Sequence, residues 1–386
     1  MRLFEPLQLG PLTLPNRVLM APLTRCRAKQ PGNIPWELNA QYYAQRSSAG
    51  LIFSEATQIC PEGQGYLWTP GMYGAEQVDG WRLVTDAVHA AGGRIHAQLW
   101  HVGRISHRSL QPGNIEPVSC CDIASKSKCF AYDAHGNPNH VDCDTPRALT
   151  SAEIPEVIAQ YASAARIAKE AGFDGVQVHG ANGYLPDQFL SSVINTRTDD
   201  WGGSVVKRAK FLLDATRACI SVWGAQRVGV RLSPTSDSSG MQGNTQWREQ
   251  HLEVARQLQH EGVSYVDLLS HSQAAGKSGF EEEFLREFRS IFHGVLMLSG
   301  GMTRDMSESH IRNGLCDAAV FGRAFISNPD LPMRLLHNVP LTDADPTTFY
   351  GGLERGYTDY PRHHFLEDVH GAISSSSSAS LSHISR

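Results

Sequence analysis

Residues 174–204, DGVQVHGANGYLPDQFLSSVINTRTDDWGGS, concentrate acid/base groups at one strand end. The short apolar run Gly175-Val176-Gln177-Val178 breaks off at His179-Gly180-Ala181-Asn182-Gly183-Tyr184. An imidazole can donate to a substrate oxygen, an amide can donate a second hydrogen bond, and a phenol can deliver a proton. His179, Asn182 and Tyr184 thus form a candidate catalytic set: an electrophile clamp with a proton source beside it. One histidine alone would more often tie down a loop, but three such groups within six residues favour chemistry.

The elements that must hold this set follow from the pattern around it. Apolar, β-branched runs at 17–21, 51–56, 94–98, 175–178, 227–232, 264–269, 294–298 and 317–321 read as strands. Between them lie helical patterns near 36–48, 76–91, 150–170, 207–222, 247–260, 281–292 and 306–313. The third of these starts at a capping box, Thr150 with Glu153. An opening hairpin spans residues 4–14, turning at Gly10-Pro11. Eight alternating β and α units predict an α/β fold, a (β/α)8 TIM barrel, with chemistry at the C-terminal strand ends. An open, doubly wound sheet is the alternative. The 386 residues suit one barrel with inserted loops.

Polar groups converge on those strand ends. Gly300-Gly301 after the seventh strand and Gly322-Arg323 after the eighth offer unobstructed backbone N–H groups and a counter-charge, as a phosphate requires. Each glycine alone could serve only to end its strand. Gln98 presents a donor and an acceptor to one edge of a pyrimidine-like ring, Thr24 a hydroxyl, and Arg231 a positive charge suited to an anionic reduced ring. These groups suit flavin mononucleotide. A barrel-internal ion pair for Arg231 and a satisfied core amide for Gln98 are the structural alternatives.

The set Ala21-Pro22-Leu23-Thr24-Arg25, Tyr42-Tyr43-Ala44-Gln45-Arg46, Gln98-Leu99-Trp100-His101-Val102-Gly103-Arg104, His179 to Tyr184 and Asn195-Thr196-Arg197-Thr198-Asp199 resembles the Old Yellow Enzyme family. Phe321-Gly322-Arg323, Asn328-Pro329-Asp330-Leu331, Phe349-Tyr350-Gly351-Gly352 and Gly356-Tyr357-Thr358-Asp359-Tyr360-Pro361 extend the match over residues 3–361. The resemblance implies a tightly bound, non-covalent FMN and NADPH as reductant, in an N-ethylmaleimide-reductase-like ene-reductase. By that likeness, FMN lies against Pro22, Leu23, Thr24, Ala56, Gln98, His179, Arg231, Gly300, Gly301, Gly322 and Arg323. Tyr66, Trp100 and Tyr350 would wall the substrate pocket. His179 and Asn182 would hold the carbonyl or nitro oxygen of an electron-poor alkene, hydride would reach its β-carbon, and Tyr184 would protonate its α-carbon. Thr24 would bond the flavin O4; Cys26 is two positions on, and a strand side chain at that spacing faces the same side, which leaves a redox-tuning thiol open.

The rest of the chain bounds the reading. A net charge of −5, with no long basic run, gives no reason to expect nucleic acid or anionic membrane as partner. The sequence offers no apolar run of membrane-spanning length and no apolar leader core, which points to a cytoplasmic protein, monomer or homodimer. Eight cysteines without a disulfide-like framework agree with a reducing compartment. The insertion at about 104–146 holds Cys120, Cys121, Cys129 and Cys143 with His135 and His140; lacking a C-x-x-C pair, it reads as a small capping subdomain, a hairpin over the barrel mouth being one form of it, rather than a zinc site, and no metal is expected. Residues 1–361 form one barrel domain on this reading, and the Ser-rich stretch 362–386 a disordered tail. Two other function classes compete. A flavin-free barrel lyase is disfavoured by Gln98, Arg231 and the lack of a strand-end lysine. A flavoprotein without turnover is disfavoured by the intact set His179, Asn182 and Tyr184.

Overall fold

The computed structural model describes residues 1–271 and 279–363 of the chain. Most of the Ser-rich stretch, from residue 364 on, lies outside the described residues. The eight strands expected from sequence are present: β1 (Val18–Met20), β2 (Ile52–Phe53), β3 (Ile95–Trp100), β4 (Gly175–Gly180), β5 (Val228–Leu232), β6 (Tyr265–Leu269), β7 (Val295–Ser299) and β8 (Ala318–Phe321). They pair in parallel in chain order, and β8 returns to β1 with Phe321 opposite Met20, so the sheet closes. The open-sheet alternative is thereby excluded. Helices α1 (Glu37–Ala44), α2 (Ala75–Ala90), α3 (Ile154–Glu170), α4 (Val205–Trp223), α5 (Trp247–Glu261), α6 (Glu282–Ile291) and α7 (Arg304–Arg312) connect successive strands, and α8 (Leu331–His337) follows the last.

Local chemistry sets the helix ends. Ser204 Oγ accepts from Lys207 N at 3.3 Å to start α4, which Gly224 ends at φ 75°. Before α3, Thr150 N donates to the Glu153 carboxylate at 2.7 Å and Glu153 N to Thr150 Oγ1 at 3.3 Å, the reciprocal pair expected from sequence.

Strand alternation divides the core in two. Leu19, Phe53, Tyr265, Met297 and Val320 fill the barrel interior, together with Leu9 and Leu14 of the N-terminal hairpin (Leu7–Leu9 with Leu12–Leu14). The hairpin therefore plugs one end of the barrel, leaving the C-terminal strand ends for chemistry. Val18, Met20, Val176 and Val178 face outward into the helix layer. The rings of Phe53 and Tyr265, both fully buried, meet in this inner layer at 5.7 Å.

Two further features border the active end. The insertion after β3 contains an antiparallel hairpin, Lys128–Tyr132 with Pro138–Asp142. It docks on the loop after β2, where Leu67 N donates to Phe130 O at 2.8 Å and the rings of Trp68 and Phe130 meet edge-on at 5.4 Å. Its cysteines are free thiols, and among the described residues no three His, Cys, Asp or Glu side chains gather as a metal site. On the other side, the C-terminal segment is pinned by buried arginines: Arg25 Nη2 donates to Gly356 O and Arg46 Nη2 to Ile326 O, each at 2.7 Å. The Tyr42 and Tyr357 rings stack at 4.0 Å beneath them. No helix among the described residues is long and apolar enough to cross a membrane.

Candidate active site

Inside the barrel mouth, neighbouring strands bring polar side chains into one belt. Gln98 on β3 is in register with Gln177 on β4, and Gln98 Nε2 donates to Gln177 Oε1 at 2.7 Å. That bond leaves Gln177 Nε2 buried without a partner. His179 on β4 is in register with Arg231 on β5, and Arg231 with Asp267 on β6. The ion pair weighed for Arg231 does form: its Nε lies 3.1 Å from Asp267 Oδ2, too bent to count as a hydrogen bond. Ser299 links the two, accepting from Arg231 Nη2 at 3.3 Å and donating to Asp267 Oδ1 at 2.9 Å. Burial pushes the Arg231 pKa down and that of Asp267 up, and their mutual attraction opposes both shifts. Burial, reinforced by Arg231, holds His179 well below the ordinary imidazole range, so its ring is neutral near pH 7.

The loop after β4 carries the rest of the set. Asn182 sits at φ 63°, a left-handed conformation that asparagine tolerates better than most residues, and Gly183 follows at φ 76°. This reversal turns Tyr184 back toward His179, with ring centroids 5.0 Å apart. Tyr184 Oη donates to Tyr66 Oη at 3.4 Å. Tyr66 stacks on Trp100 at 5.7 Å, and Trp100 meets Tyr184 edge-on at 5.0 Å. Trp100 is wholly buried, packed with Ala56 and Val102, and so backs the two tyrosines rather than presenting a face of its own. Tyr350 stands apart at 46% exposure, its ring edge-on to His140 of the hairpin at 6.4 Å, which puts it on the rim. Burial raises the Tyr184 and Tyr66 pKa values, so both phenols stay protonated. His179 Nδ1 and Asn182 Oδ1 are buried without a hydrogen-bond partner. Buried polar atoms without a partner are rare in folded proteins, and here two of them belong to the candidate catalytic set.

A cavity of ≈ 1070 Å³ opens beside this cluster. Ala21, Pro22, Leu23, Asn182 and Arg231 line its inner part, and Gly300, Gly301, Gly322 and Arg323 its far end. Gly300 has φ 99°, and a Cβ there would sit 2.0 Å from Ser270 O, so only glycine fits. Arg323 is exposed and makes no ion pair among the described residues. Thr303 Oγ1 accepts from Met306 N at 3.3 Å to start α7, whose first turn, including Arg304, borders the same end. The Arg304 Nε is buried and unpartnered. This void, with backbone N–H groups, a helix start and two arginines at one end, fits an FMN phosphate there and the ring system beneath Pro22 and Leu23. Thr24 is half-buried beside Leu23 and makes no side-chain hydrogen bond among the described residues.

Cys26 does not share a strand face with Thr24. Strand β1 ends at Met20, and Cys26 has φ 55° with its thiol buried. The Glu55 carboxylate accepts from Arg25 N at 3.0 Å and Cys26 N at 3.4 Å. Burial, then the charge of Glu55, pushes the Cys26 thiol well up, so it stays protonated. Burial likewise raises Glu55 itself to about 7.

Asp267, Ser299, Gln177 and Arg304 are site residues that the sequence reading passed over. For Asp267 a signal existed: a carboxylate in the middle of an apolar strand, YVDLL, is costly unless paired. Gln177, two residues before His179 on the same strand face, offered a similar one.

The chain is a closed parallel barrel with glycines and unpartnered polar groups at its C-terminal mouth, and its sequence places it in a class of flavin-dependent oxidoreductases. Over residues 2–342 the chain matches the sequence model of the NADH:flavin oxidoreductase / NADH oxidase family, and it belongs to that family, the Old Yellow Enzyme family. It is 41% identical to 12-oxophytodienoate reductase 7 of Oryza sativa subsp. japonica, over 93% of this chain and 94% of that one. Among solved structures, morphinone reductase superposes with a TM-score of 0.92 at 43% identity, covering 95% of this chain and 97% of that one. The old yellow enzyme homologue from Zymomonas mobilis superposes at 0.88 with 38% identity, covering 94% and 99%.

Proposed function

We propose that this chain is an FMN-dependent ene-reductase that draws on NADPH and reduces electron-poor alkenes: enones, quinones, maleimides or nitroalkenes. The observation that carries the reading is the neutral, unpartnered His179 beside Asn182 and within a 5.0 Å ring contact of the protonated Tyr184. A neutral imidazole and a carboxamide donate hydrogen bonds to a carbonyl or nitro oxygen without placing a full charge beside it, and so draw electron density from the conjugated double bond. FMN, when bound, would supply the hydride for the β-carbon. Tyr184 Oη then gives its proton to the α-carbon, and the Tyr66 hydroxyl at 3.4 Å is placed to stabilise the phenolate left behind. Arg231, held to Asp267, would supply positive charge to a reduced, anionic flavin ring. Pro22, Leu23, Thr24, Ala56 and Gln98 would bound the ring, while Gly300, Gly301, Gly322 and Arg323 would hold the phosphate. The aromatic group of Tyr66 and Tyr184, backed by Trp100 and rimmed by Tyr350, excludes water and accepts a flat substrate.

The test is the visible spectrum of the purified protein, taken anaerobically, again after NADPH, and again after 2-cyclohexenone. Flavin bands that bleach with NADPH and return with the enone are expected. A colourless protein that also fails to take up added FMN overturns the assignment.

A further inference from the structure

The clamp needs Asn182 and Tyr184 held in register with His179, yet both sit on a loop that reverses through two consecutive positive-φ residues, Asn182 and Gly183. Such a turn is strained at Asn182 and does not hold itself. The hold comes from the short helix Leu185–Leu190 that follows. Asp187 Oδ2 accepts from Gly183 N at 2.9 Å, and Gln188 Nε2 donates to Gly183 O at 2.7 Å. Two successive buried side chains thus grip both polar atoms of the one residue between Asn182 and Tyr184. A third contact comes from the residue just past β5: Ser233 Oγ accepts from Asn182 N at 2.8 Å and donates to Asp187 Oδ2 at 3.4 Å. Gln188 is otherwise fully used, donating to Val102 O at 3.0 Å and accepting from Arg104 N at 3.2 Å and Ser119 Oγ at 2.8 Å. Its position is fixed by the insertion after β3, whereas Asp187 and Ser233 act on the clamp loop alone.

We infer that Asp187, with Ser233 as its bridge, is a positioning residue of the clamp: it fixes the Gly183 peptide so that the Asn182 amide and the Tyr184 hydroxyl converge on the substrate atom that His179 holds. The inference rests on the ene-reductase reading of His179, Asn182 and Tyr184. Without an acceptor, the Gly183 N–H is a buried orphan, and the loop must turn to satisfy it. Asparagine in place of Asp187 keeps an oxygen in the same place, so the negative charge is dispensable and the acceptor is not.

The experiment titrates the FMN-loaded enzyme with 4-hydroxybenzaldehyde, a planar phenol that reports on the clamp through the flavin spectrum, and measures kcat and KM for 2-cyclohexenone. Asp187→Ala is expected to keep its flavin, bind the phenol about tenfold more weakly and lose a similar factor in kcat. Asp187→Asn is expected to restore both to within about threefold of the parent. Parent-like phenol affinity in Asp187→Ala, or Asp187→Asn as impaired as Asp187→Ala, overturns the inference. If Asp187→Ala does not fold, Ser233→Ala replaces it: affinity weakened about threefold supports the bridge, and unchanged affinity refutes it. The His179→Ala/Asn182→Ala double variant in the same titration separates the two levels. Unchanged affinity there removes the clamp itself, whereas loss there with parent-like Asp187→Ala removes only the positioning role.

Discussion

Replacing Tyr184 by phenylalanine isolates the proposed proton transfer from the packing around it. The ring keeps its 5.0 Å contacts with His179 and Trp100, so the aromatic cluster survives. Among the described residues the hydrogen bond lost is the one to Tyr66, and at 3.4 Å it is longer than the usual hydroxyl–hydroxyl bond. Stability should therefore change by no more than about 0.5 kcal/mol. Removing a general acid typically costs about 10² to 10⁴ in rate. The expected result is a drop of about 100-fold or more in the oxidative half-reaction with 2-cyclohexenone, while reduction of the flavin by NADPH, which uses no proton from Tyr184, stays near the parent rate. Anaerobic stopped-flow absorbance of the flavin resolves the two halves. Burial holds the Tyr184 phenol above the ordinary tyrosine range, so in the parent the oxidative half should show no loss from Tyr184 ionisation up to about pH 9. A phenylalanine variant that reoxidises as fast as the parent refutes the assignment of Tyr184 as acid.

Three other perturbations test different parts of the structure. Asp267→Ala strands the buried Arg231 guanidinium and should lower stability by about 3–5 kcal/mol in urea unfolding; a change under about 1 kcal/mol would show that the pair contributes little. Gly300→Ala places a Cβ 2.0 Å from the Ser270 carbonyl at φ 99°, and should cost about 2 kcal/mol or more and release FMN on dialysis, against a parent that retains it. Glu55 and Asp187 titrate near 7 in the folded chain, above their ordinary 4.5 and 3.8. Because folding raises both values, their contribution is full below about pH 4 and is lost as pH rises to about 7, roughly 3–4 kcal/mol each. Urea midpoints of the parent and of a Glu55→Gln/Asp187→Asn variant at the two ends of that window should diverge accordingly, and parallel midpoints would contradict the burial argument.

Much of the barrel was legible because its signal is local. Each strand is a short apolar run bounded by turn residues, and the glycines after β7 and β8 stand where the sequence pattern puts them. The set His179, Asn182 and Tyr184 was legible for the same reason: all three lie on one strand end. What sequence spacing could not show is pairing across strands. The partner of Arg231 is Asp267, and that of Gln98 is Gln177, contacts fixed only by the register of neighbouring strands. The fate of Cys26 was hidden because alternation fails once the strand ends, six residues earlier, at Met20. Trp100 continues β3 past Gln98 on the same side, but whether its ring faces the pocket depends on Tyr66 and Tyr184 arriving from two other loops.

The arginine anchors on the C-terminal segment have a consequence for how the chain is made. Arg25 and Gly356 are 331 positions apart, and β1 lacks one of its two neighbours until β8 exists. At ordinary elongation rates roughly 17 to 70 seconds separate the emergence of Met20 from that of Tyr357. For most of that interval β1 has β2 on one edge and no β8 on the other, and Arg25 has no Gly356 carbonyl to hold. The first strand of the barrel to be synthesised is thus the last to gain both of its neighbours, and closure of the ring waits on the last barrel strand.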